Sequence, residues 1–147
     1  MSDGFWEVVY VDGKAIIPTL AQLGVAWLTI EPIEVVDWSD RAGLQAKIVA
    51  RIRAGNPRAK SAKQIGGLPS PMARAAGFKS ERAYEAKARG WAIERCRGAY
   101  RIIPYKRRSD KGWEEDDAHA VELPMGAAED RVAAELINVI KSTIGEM

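Results

Sequence analysis

The stretch from Phe78 to Arg108, FKSERAYEAKARGWAIERCRGAYRIIPYKRR, constrains the fold most, because it spells a capped helix, a tight turn and a two-stranded ribbon in order. Ser80 is a good helix N-cap, and Glu81, Ala83, Glu85, Ala86, Lys87, Ala88 and Arg89 are helix formers. Gly90 falls where a left-handed C-cap would end such a helix. Trp91, Ile93 and Arg95 then alternate with Ala92, Glu94 and Cys96, Arg97-Gly98-Ala99 supplies a turn, and Tyr100, Ile102 and Ile103 open a second extended run.

The flanks extend this α+β pattern. Trp6 to Val11 alternates as a strand, with Trp6, Val8 and Tyr10 on one face and Val9 and Val11 on the other. Asp12-Gly13 turns it into Lys14 to Ile17, and Pro18 is expected to end that strand. Val25 to Ile30 reads as a strand in preference to a short helix, and Ile33 to Trp38 as another after Pro32. Ser39 or Asp40 caps a helix whose Leu44, Ile48 and Ile52 form a core-facing stripe, stopped by Gly55-Asn56-Pro57. Ala118 to Leu123 reads as a last strand. Val132, Leu136, Ile140 and Ile144, with Glu129 and Asp130 at the start and Lys141 near the end, mark an amphipathic closing helix. The expectation is a single domain over 1–147, an antiparallel sheet with helices near 40–54, 80–89 and 127–144, and a mobile basic loop near 56–72.

A net charge of +2 conceals a strong sorting of charge along the chain. Residues 1 to 40 hold one Lys against seven acids, residues 41 to 111 nineteen bases against four, and residues 112 to 147 two against nine. So basic a middle segment must neutralise its acidic flanks within the fold or meet a polyanion or an acidic protein. The longest apolar run, Val25 to Ile30, is too short to span a membrane, and the first residues lack a signal core. One cysteine, Cys96, allows no internal disulfide, so a cytoplasmic protein is expected.

Chemistry finds little purchase. One His and one Cys give no metal cluster, and Glu114-Glu115-Asp116-Asp117 lacks the glycine and alternating ligands of a calcium loop. His119 falls in an expected strand with no partner predicted beside it to make it a base, Cys96 has no activating His, and no serine lies in a GxSxG context. Gly66-Gly67 near Lys60 and Lys63 lacks the spacing of a phosphate loop. No cofactor and no enzymatic activity are expected. The remaining chemical feature is the basic hairpin 95–108, where Arg95, Arg97, Arg101, Lys106, Arg107 and Arg108 interleave with Trp91, Tyr100 and Tyr105. Such a patch suits phosphate contact and base stacking, but the favoured reading is solvated arginines backed by an aromatic core, with the acids at 114–117 folded onto them.

The order Gly77-Phe78-Lys79-Ser80, an Ala-rich helix with Tyr84, a strand from Trp91 to Glu94, Tyr100-Arg101-Ile102-Ile103-Pro104, Gly112-Trp113, a strand ended at Pro124 and a helix led by Glu129 resembles a family of immunity proteins from bacterial contact-dependent growth inhibition systems. The resemblance runs from roughly Leu44 to Ile140. It implies a small cytoplasmic α+β antidote that binds the C-terminal toxin domain of a secreted effector, often a nuclease, and blocks its active site or groove. On that reading Glu114, Glu115, Asp116 and Asp117 would act as nucleic-acid-mimicking carboxylates with Trp113 as an aromatic anchor, and Arg101 and Tyr105 would join the partner surface. Two other contacts stay open: the basic segment against an acidic toxin face, or a hairpin edge pairing with a toxin strand. The alternative function is a small nucleic-acid-binding regulator using the hairpin 95–108.

Overall fold

Two tight turns organise the pleated part of the protein, seen here in a computed structural model that describes residues 3–60, 70–108 and 112–145. Asp12 and Gly13 take φ of 50° and 76°, and Arg97 and Gly98 take 53° and 79°. Paired left-handed residues match the natural twist of antiparallel strands, which is why glycine serves at the second position of each turn. They close hairpins between β1 (Gly4–Val11) and β2 (Lys14–Leu23) and between β4 (Arg89–Cys96) and β5 (Ala99–Arg107). The hairpins join along β1 and β4, in register from Gly4↔Arg95 to Tyr10↔Arg89. With β3 (Ala26–Asp37), β6 (Trp113–Glu115) and β7 (Val121–Glu122), the described residues form a seven-stranded antiparallel sheet in the order β3-β2-β1-β4-β5-β6, with β7 beside the start of β5.

One face of the sheet carries the main core. Trp6 and Val8, Trp91 and Ile93, and Tyr100 and Ile102 project from β1, β4 and β5. Onto them pack Leu44, Ile48 and Ile52 of α1 (Arg41–Ala54) and Val132, Leu136 and Ile140 of α4 (Glu129–Thr143). Burying each of these aliphatic side chains is worth about 1.5–3 kcal/mol, so the two periodic stripes are what hold the helices down. Asp40 is the cap of α1, its Oδ1 accepting from the Gly43 N–H at 2.9 Å. Among the described residues no helix is long and apolar enough to cross a membrane.

The opposite face is covered only in part. Met72 and Ala73 of α2 (Pro71–Ala75) and Tyr84 of α3 (Glu81–Lys87) pack on Val9, Val11 and Ile16. Toward β5 and β6 the cover thins to the edge of α3, where Tyr84 meets Trp113 and the Ala86 carbonyl accepts from Arg107.

Several expectations are corrected. Pro18 does not end its strand: β2 continues to Leu23, and Pro18 sits in a bulge where the register shifts between Ile17↔Glu34 and Thr19↔Ile30. Pro32 likewise lies inside a continuous β3, opposite that bulge, and its carbonyl accepts from Thr19 Oγ1 at 2.8 Å. Both prolines fall in the gap of the register, where their missing N–H groups break no ladder bond. Beyond the bulge β2 leaves β1, and Asn56 fills the opening. Its Oδ1 accepts from Phe5 N at 3.1 Å while its Nδ2 donates to Phe5 O at 2.7 Å and Leu20 O at 3.0 Å.

The loop expected at 56–72 is structured at both ends. Arg58 bridges Gln22 in parallel fashion, and Ser70 caps α2. Residues 61–69, with Lys63 and Gly66-Gly67, lie outside the described residues. Gly90 is not a C-cap: α3 stops at Lys87 and Gly90 belongs to β4. Nor do residues 118 to 123 make one strand. Asp117–His119 is a 3₁₀ turn, closed by the Asp116 carbonyl accepting from the His119 N–H at 3.1 Å, before the short β7.

Candidate functional site

Strand alternation places Glu7 on the partly covered face, in line with Phe5, Val9 and Val11. Across from it stands Ala92, and next along β4 is Gly90, so β4 offers almost no side-chain volume there. A Cβ on Gly90 would lie 2.7 Å from Trp113 Cζ3 and 2.9 Å from Tyr105 Cδ2. The glycine is therefore required by two rings lying against its backbone, not by a helix end. The Tyr105 hydroxyl donates to the Glu7 carboxylate. Burial pushes the Glu7 carboxyl above its ordinary value, with the Tyr105 bond opposing the shift. Tyr84 and Tyr105 are also driven up, first by burial and then by the charge of Glu7, so both hydroxyls stay protonated.

Around Glu7 the fold builds an aromatic cleft of about 350 Å³. Trp27, carried by the β2–β3 arm beyond the bulge, stacks on Phe5 at 5.7 Å. Trp113 stacks on Tyr105 at 5.9 Å and lies 6.5 Å from Tyr84. Met72, Glu81 and Glu85 complete the walls. Glu81 is fixed in place, accepting from Ser70 N at 2.7 Å and Ser70 Oγ at 3.1 Å.

On the same face, Arg101 reaches Asp117 at 3.1 Å and Glu94 at 3.6 Å. Glu115 is close enough to both acids that burial first, and then their charge, push its carboxyl up, while Arg101 opposes the shift. Three carboxylates thus surround one guanidinium, leaving an acidic surface beside the cleft. At the other end of β5 a second cleft, of about 650 Å³, is bordered by Lys87, Arg89, Lys106 and Arg107.

Of the residues singled out in the sequence, Trp113, Glu115, Asp117, Arg101 and Tyr105 come together on this face. Glu114 alternates to the reverse side, opposite Lys106. Asp116 lines the second cleft instead, its Oδ2 2.7 Å from Nδ1 of the exposed His119, so the histidine does have a close partner. The cations of the hairpin do not form one patch. Arg95 binds Asp3 at 2.6 Å and lies over Trp6 on the main-core face, whereas Arg101 is on the other side, and Arg107 donates to Ala86 O at 2.8 Å. Glu7, Trp27, Tyr84 and Glu94 were not anticipated as site residues. The signal for Glu7 was available: a carboxylate inside an otherwise apolar face of a strand.

No protein-family model matches the chain, and no curated protein sequence matches it. Its fold, however, recurs in solved structures. A protein of unknown function from Neisseria meningitidis superposes with a TM-score of 0.63 at 16% identity, over 89% of each chain. A chain of the CdiA-CT/CdiI toxin and immunity complex from Yersinia pseudotuberculosis superposes with a TM-score of 0.60 at 12% identity, over 89% of this chain and 91% of that one. At such identities the likeness is one of architecture, and it spans nearly the whole of both chains.

Proposed function

We propose that this chain is an immunity protein: a cytoplasmic, non-enzymatic binder that neutralises the toxin domain of a contact-dependent growth inhibition effector. The observation that carries the reading is the fold shared with a chain of a toxin and immunity complex over nine-tenths of its length. The face beside Glu7 supports it, since Glu94, Glu115 and Asp117 around Arg101, next to the rings of Trp113 and Tyr105, suit the basic surface of a nuclease toxin. The nucleic-acid-binding alternative is weakened by the placement of Arg95 and Arg101 in ion pairs on opposite faces.

The test is calorimetric titration with the toxin domain encoded beside the gene, alongside a mixed-sequence DNA duplex, each at two salt concentrations. Tight, salt-tolerant toxin binding, weakened in a Glu115→Ala/Asp117→Ala variant, supports the reading. Salt-sensitive duplex binding with no toxin response refutes it, because phosphate contacts are lost steeply as salt rises.

A further inference from the structure

We propose that the cleft beside Glu7 receives a single cationic side chain, a guanidinium or an ammonium, from the protein partner. The inference deepens the immunity reading and rests on it for the identity of that partner. Three features of the cleft point to a cation. Its floor is a carboxylate whose donor among the described residues is Tyr105. Its walls present the rings of Trp27, Tyr84 and Trp113, the surfaces over which a guanidinium or ammonium is held by the ring quadrupole. Its lining contains Glu7, Glu81 and Glu85 and, among the described residues, no Lys or Arg, in a chain that has 22 of them.

Other occupants fit less well. An apolar side chain would press hydrocarbon against Glu7 and leave the carboxylate with less solvation and no new donor. An anion would be repelled by three carboxylates. A cation satisfies the open lone pairs of Glu7, and its desolvation is offset by the rings and by Glu81 and Glu85 at the rim. Glu7 is closely enclosed but partly accessible, and the surface it retains opens into this cleft. A side chain entering there would meet the carboxylate head-on.

The experiment compares wild type with Glu7→Gln, which keeps shape and polarity but cannot carry charge, and with Trp27→Leu, on a different strand. Calorimetry with the toxin domain should show binding weakened on the order of tenfold to a hundredfold by Glu7→Gln and about three- to tenfold by Trp27→Leu. In parallel, ethylguanidinium chloride should shift the indole N–H signals of Trp27 and Trp113 in the wild type, with n-butanol as the uncharged control. Toxin binding that survives Glu7→Gln within twofold overturns the cation site and leaves the immunity reading standing. Absent toxin binding, with ethylguanidinium shifts that disappear in Glu7→Gln, refutes the immunity reading and leaves a cation site. Ethylguanidinium shifts that are missing, equal in both proteins, or matched by n-butanol overturn the cation site.

Discussion

Replacing Asn56 by Ala is expected to destabilise the protein by about 3 kcal/mol, because one side chain replaces a missing stretch of β-ladder. Beyond Val9↔Ile16 the bulge carries β2 away from β1, and the Asn56 amide makes three bonds there, two to Phe5 and one to Leu20. Each is part-buried and worth about 1 kcal/mol net, and alanine leaves the backbone groups without partners. For a chain of 147 residues, a loss of that size lowers Tm by roughly 10 °C. Asn56→Asp should be worse than Asn56→Ala. It keeps the acceptor for Phe5 N–H but sets a carboxylate against the carbonyls of Phe5 and Leu20. Urea denaturation followed by tryptophan fluorescence gives the stability, and hydrogen exchange at the Phe5 amide gives the local effect. A loss below about 0.5 kcal/mol, or an Asp variant more stable than the Ala variant, would refute this account of the opening.

The other expectations concern the partly covered face and the main core. Gly90→Ala forces a methyl into the rings of Trp113 and Tyr105 and should destabilise by about 1–3 kcal/mol, with a changed Trp113 emission; a neutral result would mean the rings do not lie against β4. For Glu7, the native carboxyl holds its proton to higher pH than the unfolded chain does. The native state therefore binds more protons in that interval, and stability falls as pH rises from the ordinary glutamate range through the raised native value. Thermal melts should accordingly find Glu7→Gln more stable than wild type near pH 8, with the gap closing toward about pH 4; a gap that widens on acidification would reverse the sign and sink the argument. Leu136→Ala, at a fully buried position of α4, should lose about 2–5 kcal/mol in chemical denaturation, where a loss under 1 kcal/mol would show that α4 is not anchored by its stripe.

The legible parts of the molecule were those whose signals are local. The spacing of Leu44, Ile48 and Ile52, and of Val132, Leu136 and Ile140, identified α1 and α4 with their buried faces, and Asp12-Gly13 and Arg97-Gly98 located both tight turns. Pro18 and Pro32 were misread because a proline ends a strand only when its missing N–H is needed. That depends on the partner strand, and here both prolines fall where the β2–β3 register shifts and no ladder bond is made. Gly90 was misread for a similar reason: its lack of a side chain serves rings that arrive from β5 and β6, which no local pattern announces.

Of the candidate surface, the acids after Trp113 and the residues Arg101 and Tyr105 could be named in advance, because composition marks charged and aromatic residues. Which of them share a face could not. Glu115 and Glu114 differ only in the parity of a strand that residues 113–115 form by pairing with β5, and Asp116 lies in the second cleft beside His119. The sequence by itself determined helices, turns and the alternation that sets Glu7 on an apolar face, since these follow from the period of the backbone. Only the tertiary structure decided that this face is partly uncovered, and that Tyr105, Trp113, Tyr84 and Trp27 enclose the carboxylate. Those residues come from β5, β6, α3 and the β2–β3 arm, and their meeting depends on strand order and a bulge that act at long range along the chain.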